Sequence, residues 1–214
     1  MPTPCYLLEH TDEVERKLRR YTARHEGGWT CAEGWHEAST PVERTVAVWR
    51  VDDDRRTYYA NGDVDEFAGD PRWPVECKEG CGYRFTDDDA RQVFTELVYR
   101  VAAAVPGAAL DVGAETTLRD APDGAMWWAD WLGAAWAGFD GRALCVRLPG
   151  KHDWLVDSEA SNCTRKGDRT HRCWIRHGEP PYVTVDKAGE TCRAGAGSIM
   201  AGRYHGFLRN GVLT

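Results

Sequence analysis

The sequence predicts an α+β fold, in which an acidic body with helices and a β-hairpin precedes a β-rich, loop-rich part that contains many Cys and His residues. Two segments in the first half repeat their apolar residues at helical spacing, and an alternating, β-branched segment lies between them. Beyond residue 141, short strand-like segments alternate with Gly and Pro. Net charge changes sign near the same point.

Charge divides the chain into residues 1–141 and 142–214. The first part contains 15 Lys and Arg against 27 Asp and Glu, a net charge of −12, and the second contains 12 against 7, a net charge of +5. We therefore predict an acidic body followed by a basic module, with a boundary soft enough that one domain is the alternative. The basic module would either dock on the acidic body or bind a polyanion.

The first predicted helix runs from Thr11 to about Arg24. Its apolar residues Val14, Leu18 and Tyr21 recur at helical spacing, and Thr11 supplies a capping hydroxyl. Arg and Lys residues occupy the opposite face, which is typical of a solvated helix surface.

The second predicted helix runs from Thr86 to Val105. Thr86 and the three acidic residues after it suit a helix N-terminus, and the apolar stripe includes Val93, Leu97 and Val101. Pro106 and Gly107 would end the helix. A further helix is expected in the Trp-rich segment 126–138, where buried aromatic side chains would form part of the core.

Strands are predicted where β-branched residues alternate or form short runs. Residues 44–51 and 57–59 form the predicted hairpin of the acidic body. In the basic module, strands are expected at 143–148, 152–157 and 182–186, and Asn210-Gly211 is typical of a tight hairpin turn.

The first candidate metal site centres on the segment CKEGCGYRF, residues 77–85. Three residues separate Cys77 from Cys81, and a Gly and an aromatic residue follow, as in a zinc knuckle whose aromatic covers the site. A knuckle supplies two ligands, so we predict that Cys31 and His36 complete the tetrahedron. The alternative is a reduced Cys pair in an ordinary turn.

The second candidate site lies in the basic module. Cys163, Cys173, Cys192 and His205 are the predicted ligands, with His171 and His177 as substitutes. His171 and Cys173 alternate, so both would point to one face of a strand. The alternative is surface histidines and small buried cysteines.

Zinc is the predicted cofactor, in a structural role. Thiolate and imidazole are ligands that zinc prefers, and structural zinc stabilises small, loop-rich segments. The N-terminus lacks an export signal and no apolar run is long enough to span a bilayer, so we expect a cytoplasmic protein without a membrane partner. The eight cysteines are then expected to be thiols or metal ligands, with disulfides as the alternative.

An enzymatic interpretation uses neighbouring residues. His152, Asp153 and Asp157, together with His171, His177 or His205, could surround a hydrolytic metal or a nucleophile, for which Cys145, Cys163 and Cys173 are the candidates. The sequence contains no HExxH, nucleophile elbow or phosphate-binding loop, so it identifies no catalytic residues and leaves enzymatic activity uncertain.

The last third of the chain ends in a recognisable pattern: Ser198-Ile199, a short loop, and then HGFLRNG at residues 205–211. This ending resembles those of uncharacterised proteins of high-GC actinobacteria and their bacteriophages. The resemblance implies an origin, with a location in the host cytoplasm or the virion, and implies no activity.

Together these patterns predict a zinc-stabilised binding or structural protein, accessory or virion-associated if it is encoded by a phage. The alternative is a metal-dependent or Cys-dependent hydrolase acting on nucleic acid or a nucleotide. A protein partner or self-association is expected, and nucleic acid could bind the basic module.

Overall fold

The fold is built almost entirely from β-strands, so the predicted α+β class is wrong. The computed structural model describes residues 1–22, 31, 34–47, 49–52, 55–58, 62–133, 136–138, 140–157, 159–160, 162–168, 171–187, 192 and 198–214. The helical element whose bounds lie within these ranges is a short 3-10 helix, Val64–Phe67. No helix in this described part is long and apolar enough to cross a membrane.

Sixteen strands are defined in the described residues. In chain order, β1 to β8 are Thr3–Pro4, Tyr6–Tyr21, Glu37–Val46, Trp49–Asp52, Arg55–Tyr58, Ala90–Ala104, Glu115–Thr117 and Ala125–Trp128. The second half contributes β9 to β16, which are Leu144–Leu148, His152–Leu155, Trp174–His177, Thr184–Lys187, Ile199–Ala201, Tyr204–Gly206, Leu208–Arg209 and Val212–Leu213.

The largest sheet has seven strands. Six follow the order β10-β9-β8-β2-β6-β7, and β3 pairs with β2 off this path. Strand β8 pairs with β2 in parallel, whereas β9 is antiparallel to both β8 and β10. The smaller sheets are β1-β16-β15 and the two-stranded pairs β11-β12, β13-β14 and β4-β5.

The chain forms two compact units. One unit comprises Thr11–Val98, and the other comprises Met1–His10 together with Tyr99–Thr214. The boundary that charge predicts near residue 141 lies inside the unit that contains Tyr99–Thr214. We call Thr11–Val98 the inserted unit and the other the outer unit, because the inserted unit interrupts the outer one along the chain.

The helix predicted from Thr11 to Arg24 is wrong: residues up to Tyr21 belong to the long strand β2. Val14 and Leu18 are four residues apart, which is helical spacing but is also a multiple of the two-residue period of a strand. Both are buried. Residues 23 and 24 lie outside the described part.

Charged residues in this part of β2 form ion pairs within the strand and with neighbouring strands. Arg16 faces Glu43 across the β2–β3 register and forms an ion pair with it at 3.3 Å. Lys17 is almost completely buried and pairs with Glu15 at 3.2 Å and Glu96 at 2.8 Å. The run of charges therefore forms ion pairs within the strand and across strands, of which the cross-strand pairs are a common form of sheet stabilisation, rather than a solvated helix face.

The predicted helix Thr86–Val105 is also wrong, because most of it forms β6. Val93, Leu97 and Val101 again repeat every four residues and lie buried on one face of a strand. Intrinsic propensity decided the outcome: the strand also contains Phe94, Val98 and other β-branched or aromatic residues that favour a pleated conformation. Thr86 lies in the turn that leads into the strand, where its backbone N–H donates to Asp89 Oδ2 at 2.7 Å.

The third predicted helix is likewise wrong at its start, which forms strand β8, and residues 134 and 135 of this segment lie outside the described part. Strand β8 ends at Trp128, and Met126 and Trp127 are fully buried opposite Val146 and Cys145 of β9. Trp131 and Trp136, beyond the strand, are 48% and 57% exposed, so only part of the Trp-rich segment contributes to a core as expected.

Several predicted strands are confirmed. The hairpin of the acidic body appears in part as β4 and β5, which pair in antiparallel register. The strand expected at 44–51 is divided between the end of β3 and β4, and residue 59 lies outside the described part. Strands β9, β10 and β12 occupy most of the segments expected at 143–148, 152–157 and 182–186. The turn at Asn210-Gly211 joins β15 to β16 with φ angles of 45° and 74°, as a hairpin turn of this type requires.

The outer unit has a large hydrophobic core. It includes Leu144, Val146 and Leu148 from β9 and the closing strands' Leu208 and Leu213, and Cys163 and Cys173 also belong to it. A smaller cluster in the inserted unit is formed by Leu18, Trp73 and Val93. Cysteine side chains are thus part of the packed interior of the outer unit.

Gly211 offers a test of the closing hairpin. A Cβ at this position would lie 2.3 Å from the carbonyl oxygen of Pro181, in addition to the strain of a positive φ. We expect Gly211→Ala to lower the free energy of unfolding by about 2–3 kcal/mol. Gly113→Ala is the control, because φ is positive there but no atom lies within 4 Å of the added carbon. Chemical denaturation measures both, and equal losses would contradict the steric explanation.

Candidate metal centres

The first cluster of metal-ligand residues lies in the inserted unit and consists of Cys31, His36, Cys77 and Cys81. One ligand atom from each residue lies within 4.8 Å of all the others. These are the four residues predicted from the sequence. They come from two segments that are more than forty residues apart, and the fold brings both to one place. We call this group the Cys31 cluster.

The separations between donors match a tetrahedral zinc site. Cys31 Sγ lies 3.5 Å from Cys77 Sγ and 3.7 Å from His36 Nδ1, and Cys81 Sγ lies 3.3 Å from the same nitrogen. Zn–S bonds of about 2.3 Å and Zn–N bonds of about 2.0 Å at tetrahedral angles place the donors about 3.5–3.8 Å apart. An ion at the centre would therefore require little rearrangement.

Backbone hydrogen bonds form the knuckle that presents Cys77 and Cys81. The Cys77 N–H donates to the carbonyl of Tyr83 at 2.9 Å, and the Gly80 N–H donates to that of Cys77 at 3.3 Å. Gly80 and Gly82 adopt φ angles of 68° and 81°, which residues with a Cβ rarely adopt. The glycines on either side of Cys81 therefore allow the tight turn that brings both sulfurs to one side.

The other half of the cluster adjoins the end of strands β2 and β3. Thr22 N–H donates to the carbonyl of His36 at 3.1 Å, and the His36 N–H donates to Thr22 Oγ1 at 3.2 Å. Lys78 N–H in the knuckle donates to the carbonyl of Glu37 at 3.1 Å. These bonds connect the two ligand-bearing segments independently of any metal.

An aromatic residue covers the site, as the knuckle motif predicts. The ring of Tyr83 stacks on the His36 imidazole, with centroids 4.0 Å apart and an angle of 2° between the planes. Its hydroxyl lies 3.0 Å from both carboxylate oxygens of Asp89. The imidazole is thus held by a ring that is itself anchored, which is the kind of support that orients a metal ligand.

Two thiols of this cluster have shifted pKa values. Desolvation, followed by hydrogen bonds with Cys81 and Cys77, raises the pKa of Cys31 to about 12. A hydrogen bond from the backbone of Tyr83 lowers the pKa of Cys81. Crowded thiols resist ionisation together, so binding of a cation would be coupled to the release of protons.

The second cluster lies in the outer unit and consists of Cys163, His171, Cys173 and Cys192. Their ligand atoms also lie within 4.8 Å of one another. His171 Nε2 is 3.3 Å from Cys173 Sγ, and Cys173 Sγ is 3.4 Å from Cys192 Sγ. We call this group the Cys163 cluster. It has the same donor set as the first, three sulfurs and one imidazole nitrogen.

Short turns and a strand position these ligands. Cys163 N–H donates to the carbonyl of Ala160 at 2.9 Å, and His171 N–H donates to that of Asp168 at 3.0 Å. Cys173 directly precedes strand β11. The Cys163 sulfur accepts a hydrogen bond from Arg165 N–H at 3.3 Å, a contact that stabilises a thiolate.

This cluster is more deeply buried than the first. Cys163, His171 and Cys173 are 7%, 4% and 1% exposed, and Cys192 is intermediate. Burial raises the pKa of Cys173 to about 12. Three sulfurs and an imidazole gathered in a packed interior favour a bound cation, because a metal would replace mutually crowded polar groups by strong bonds.

Two of the predicted histidines lie elsewhere. His205, the expected fourth ligand, is exposed on β14, and its Nε2 is 2.8 Å from Ser198 Oγ. His177, a predicted substitute, is at the end of β11 and pairs with Asp186 at 2.9 Å. His171, the other substitute, occupies the fourth position. The signal in the sequence is its position two residues before Cys173, the spacing that led us to expect both side chains on one face.

The residues of the hydrolase interpretation have structural partners. Asp153 pairs with Arg147 at 2.8 Å, and Asp157 pairs with Arg176 at 2.9 Å. Cys145 is buried in β9, where desolvation raises the pKa of its thiol to about 12. A thiol of that kind is a poor nucleophile, since the thiolate is the reactive form.

None of the eight cysteines, all of which are described, forms a disulfide. Six of them belong to the two clusters, and Cys5 and Cys145 are buried in the outer unit. The disulfide alternative raised by their even number is therefore not realised in this structure.

Comparison with known proteins gives no family to guide the interpretation: no protein-family model, curated protein or solved structure matches the chain. The two clusters are thus interpreted from their own geometry.

Histidine substitutions test the composition of the Cys163 cluster. We expect His171→Ala to remove one bound metal ion per chain and to lower the free energy of unfolding by about 3–5 kcal/mol, because a buried ligand set is left incomplete. His205→Ala and His177→Ala should leave the metal content unchanged. Elemental analysis with thermal denaturation measures both effects. Loss of metal from His205→Ala with retention in His171→Ala would reverse the assignment.

Proposed function

We propose that the protein is a zinc-stabilised binding or structural protein, in which each of the two units holds one structural zinc ion. The observation that carries the proposal is the convergence of two separate Cys3His sets, each with all four donor atoms within 4.8 Å. Eight such side chains gathered at two places are difficult to explain as ordinary core or surface residues.

The donor atoms favour zinc over other abundant cations. Calcium and magnesium prefer oxygen ligands, and neither cluster includes a carboxylate among its four donors. Three thiolates and an imidazole are instead a common structural zinc set. Zinc also has no redox chemistry of its own, which suits a purely structural role.

The number of ligands supports a structural role over a hydrolytic one. A catalytic zinc ordinarily has three protein ligands and keeps one position for water or substrate. Each cluster here offers four protein ligands, which would close the coordination sphere. The hydrolase alternative therefore lacks the open position that it needs at either cluster.

Zinc would contribute most where the chain has little other regular structure. The Cys31 cluster connects segments on either side of strands β3 to β5, and the Cys163 cluster connects a segment of turns to the start of β11. In small zinc domains the ion supplies on the order of 10 kcal/mol of apparent binding free energy, which becomes folding free energy. We infer that zinc fixes these loop-rich segments.

The charge distribution favours a protein partner over nucleic acid. Several arginines of the basic module already interact within the outer unit: Arg147 with Asp153, Arg165 with Asp168, and Arg176 with Asp157. Arginines paired in this way offer fewer charges to phosphates. The exposed Trp131 and Trp136 are side chains of the kind that protein interfaces use.

Metal analysis tests the proposal directly. Protein purified without added metal or chelator is expected to contain about two zinc ions per chain, and their removal should lower the melting temperature by about 10 °C or more. Re-addition of zinc should restore the melting temperature, and magnesium should not. Protein that is free of metal and equally stable with or without zinc would contradict the proposal.

A further inference from the structure

The two clusters have the same donors but different access to solvent. In the Cys163 cluster, three of the four ligands are less than a tenth exposed. In the Cys31 cluster only Cys77 is less than a tenth exposed, at 6%. Cys31 and His36 are intermediate in exposure, and Cys81 is exposed. Because the ligand types match, any difference in reactivity between the sites arises from their surroundings.

Cys81 is the most exposed cysteine of the six: it is exposed, whereas Cys31 and Cys192 are intermediate and the other three are buried. It lies at the tip of the knuckle between Gly80 and Gly82, where no atom outside the adjacent residues lies within 4 Å of a carbon added at either glycine. The exposure of Cys81 and the open space at this turn leave a small oxidant room to approach the residue. Zinc-bound thiolates retain nucleophilic character, and accessibility is one of the factors that decide which thiolates are oxidised.

Two neighbouring sulfurs lie close enough to that of Cys81 to form a disulfide with it after a small movement. The Cys31 and Cys77 sulfurs both lie within 4.8 Å of that of Cys81. The knuckle turn contains two glycines with positive φ, and Cys81 is at its exposed end. The approach of one sulfur to another therefore requires movement of a short turn rather than of a packed strand.

We propose that the Cys31 cluster is an oxidant-sensitive zinc switch, which releases its metal on reaction with a peroxide while the Cys163 cluster retains its own. This inference rests on the proposed function, since both clusters must first hold zinc.

The reaction balances with hydrogen peroxide as the two-electron oxidant. The Cys81 thiolate attacks one peroxide oxygen, the O–O bond breaks, and hydroxide leaves, giving a sulfenic acid. A neighbouring thiolate, from Cys31 or Cys77, then attacks the Cys81 sulfur, forming an S–S bond and expelling a second hydroxide. Two protons from solvent convert the hydroxides to water. Zinc keeps only one Cys and His36 as ligands and dissociates.

Release of zinc would also alter the structure around the ligands. His36 stacks on Tyr83, and the Tyr83 hydroxyl contacts Asp89, one residue before strand β6. The backbone of His36 also bonds to Thr22 at the end of β2. Oxidation would therefore loosen the knuckle and the adjoining ends of two long strands, while the buried cluster of the outer unit stays metallated.

Timed oxidation of the zinc-loaded full chain tests the proposal. Protein containing two zinc ions is treated with hydrogen peroxide, and free zinc is followed with a chromogenic chelator. We expect one zinc per chain to be released about tenfold faster than the other. Peptide mapping should find a disulfide containing Cys81, and a reductant with added zinc should restore the starting state. Release of both ions at one rate, or of the Cys163 zinc first, would overturn it.

A ligand-preserving variant and a labelling measurement sharpen the test. Cys81→His keeps four donors but removes the exposed sulfur, so rapid release should disappear; Cys192→His, at the partly exposed ligand of the other cluster, should leave it unchanged. If Cys81→His fails to fold, brief alkylation of the zinc-loaded natural protein should modify Cys81 before any other cluster cysteine. Modification of another cluster cysteine first would contradict the proposal.

The two hypotheses fail in different ways. Protein that binds no zinc at all would remove the proposed function and this inference together. Protein that holds two zinc ions, both equally resistant to peroxide, would leave the structural role intact and remove only the switch.

Discussion

The structure depends on soft donor atoms that are distant in sequence meeting at two points, one in each compact unit. Cys31 and Cys81 are fifty residues apart, and Cys163 and Cys192 are separated by nearly thirty. Loops of this length lose much conformational entropy when they close, and a metal bound by both ends offsets that loss. The surrounding turns, with their glycines and backbone hydrogen bonds, are arranged so that this closure needs little further movement.

The ligands were more predictable than the fold. Cys77 and Cys81 are recognisable from local chemistry alone, since two close cysteines with a glycine and an aromatic residue after them have the pattern of a zinc knuckle. The sequence does not identify His171 rather than His205 as the fourth ligand, because that depends on where β11 and β14 lie in space. The helix predictions are wrong for a clearer reason. A repeat of four residues, as in Val93, Leu97 and Val101, fits the period of a strand as well as that of a helix. Only the β-branched and aromatic residues between them distinguish the two periods, and these residues favour a strand.

Identical ligand sets in different surroundings provide a natural contrast within one chain. Cys173 lies in a packed core, where access and movement are limited, whereas Cys81 is at an exposed glycine turn. A buried site suits permanent stabilisation, and an accessible one suits exchange or response. On the proposals made above, the same coordination chemistry would serve two purposes in this protein, with burial as the variable that separates them.

X-ray absorption at the zinc edge tests the central claim most directly, since it reports the atoms bound to the metal in solution. The account predicts an average shell of three sulfurs at about 2.3 Å and one nitrogen at about 2.0 Å. A shell of oxygen and nitrogen atoms without sulfur, or the absence of bound zinc from protein that is fully folded, would contradict it.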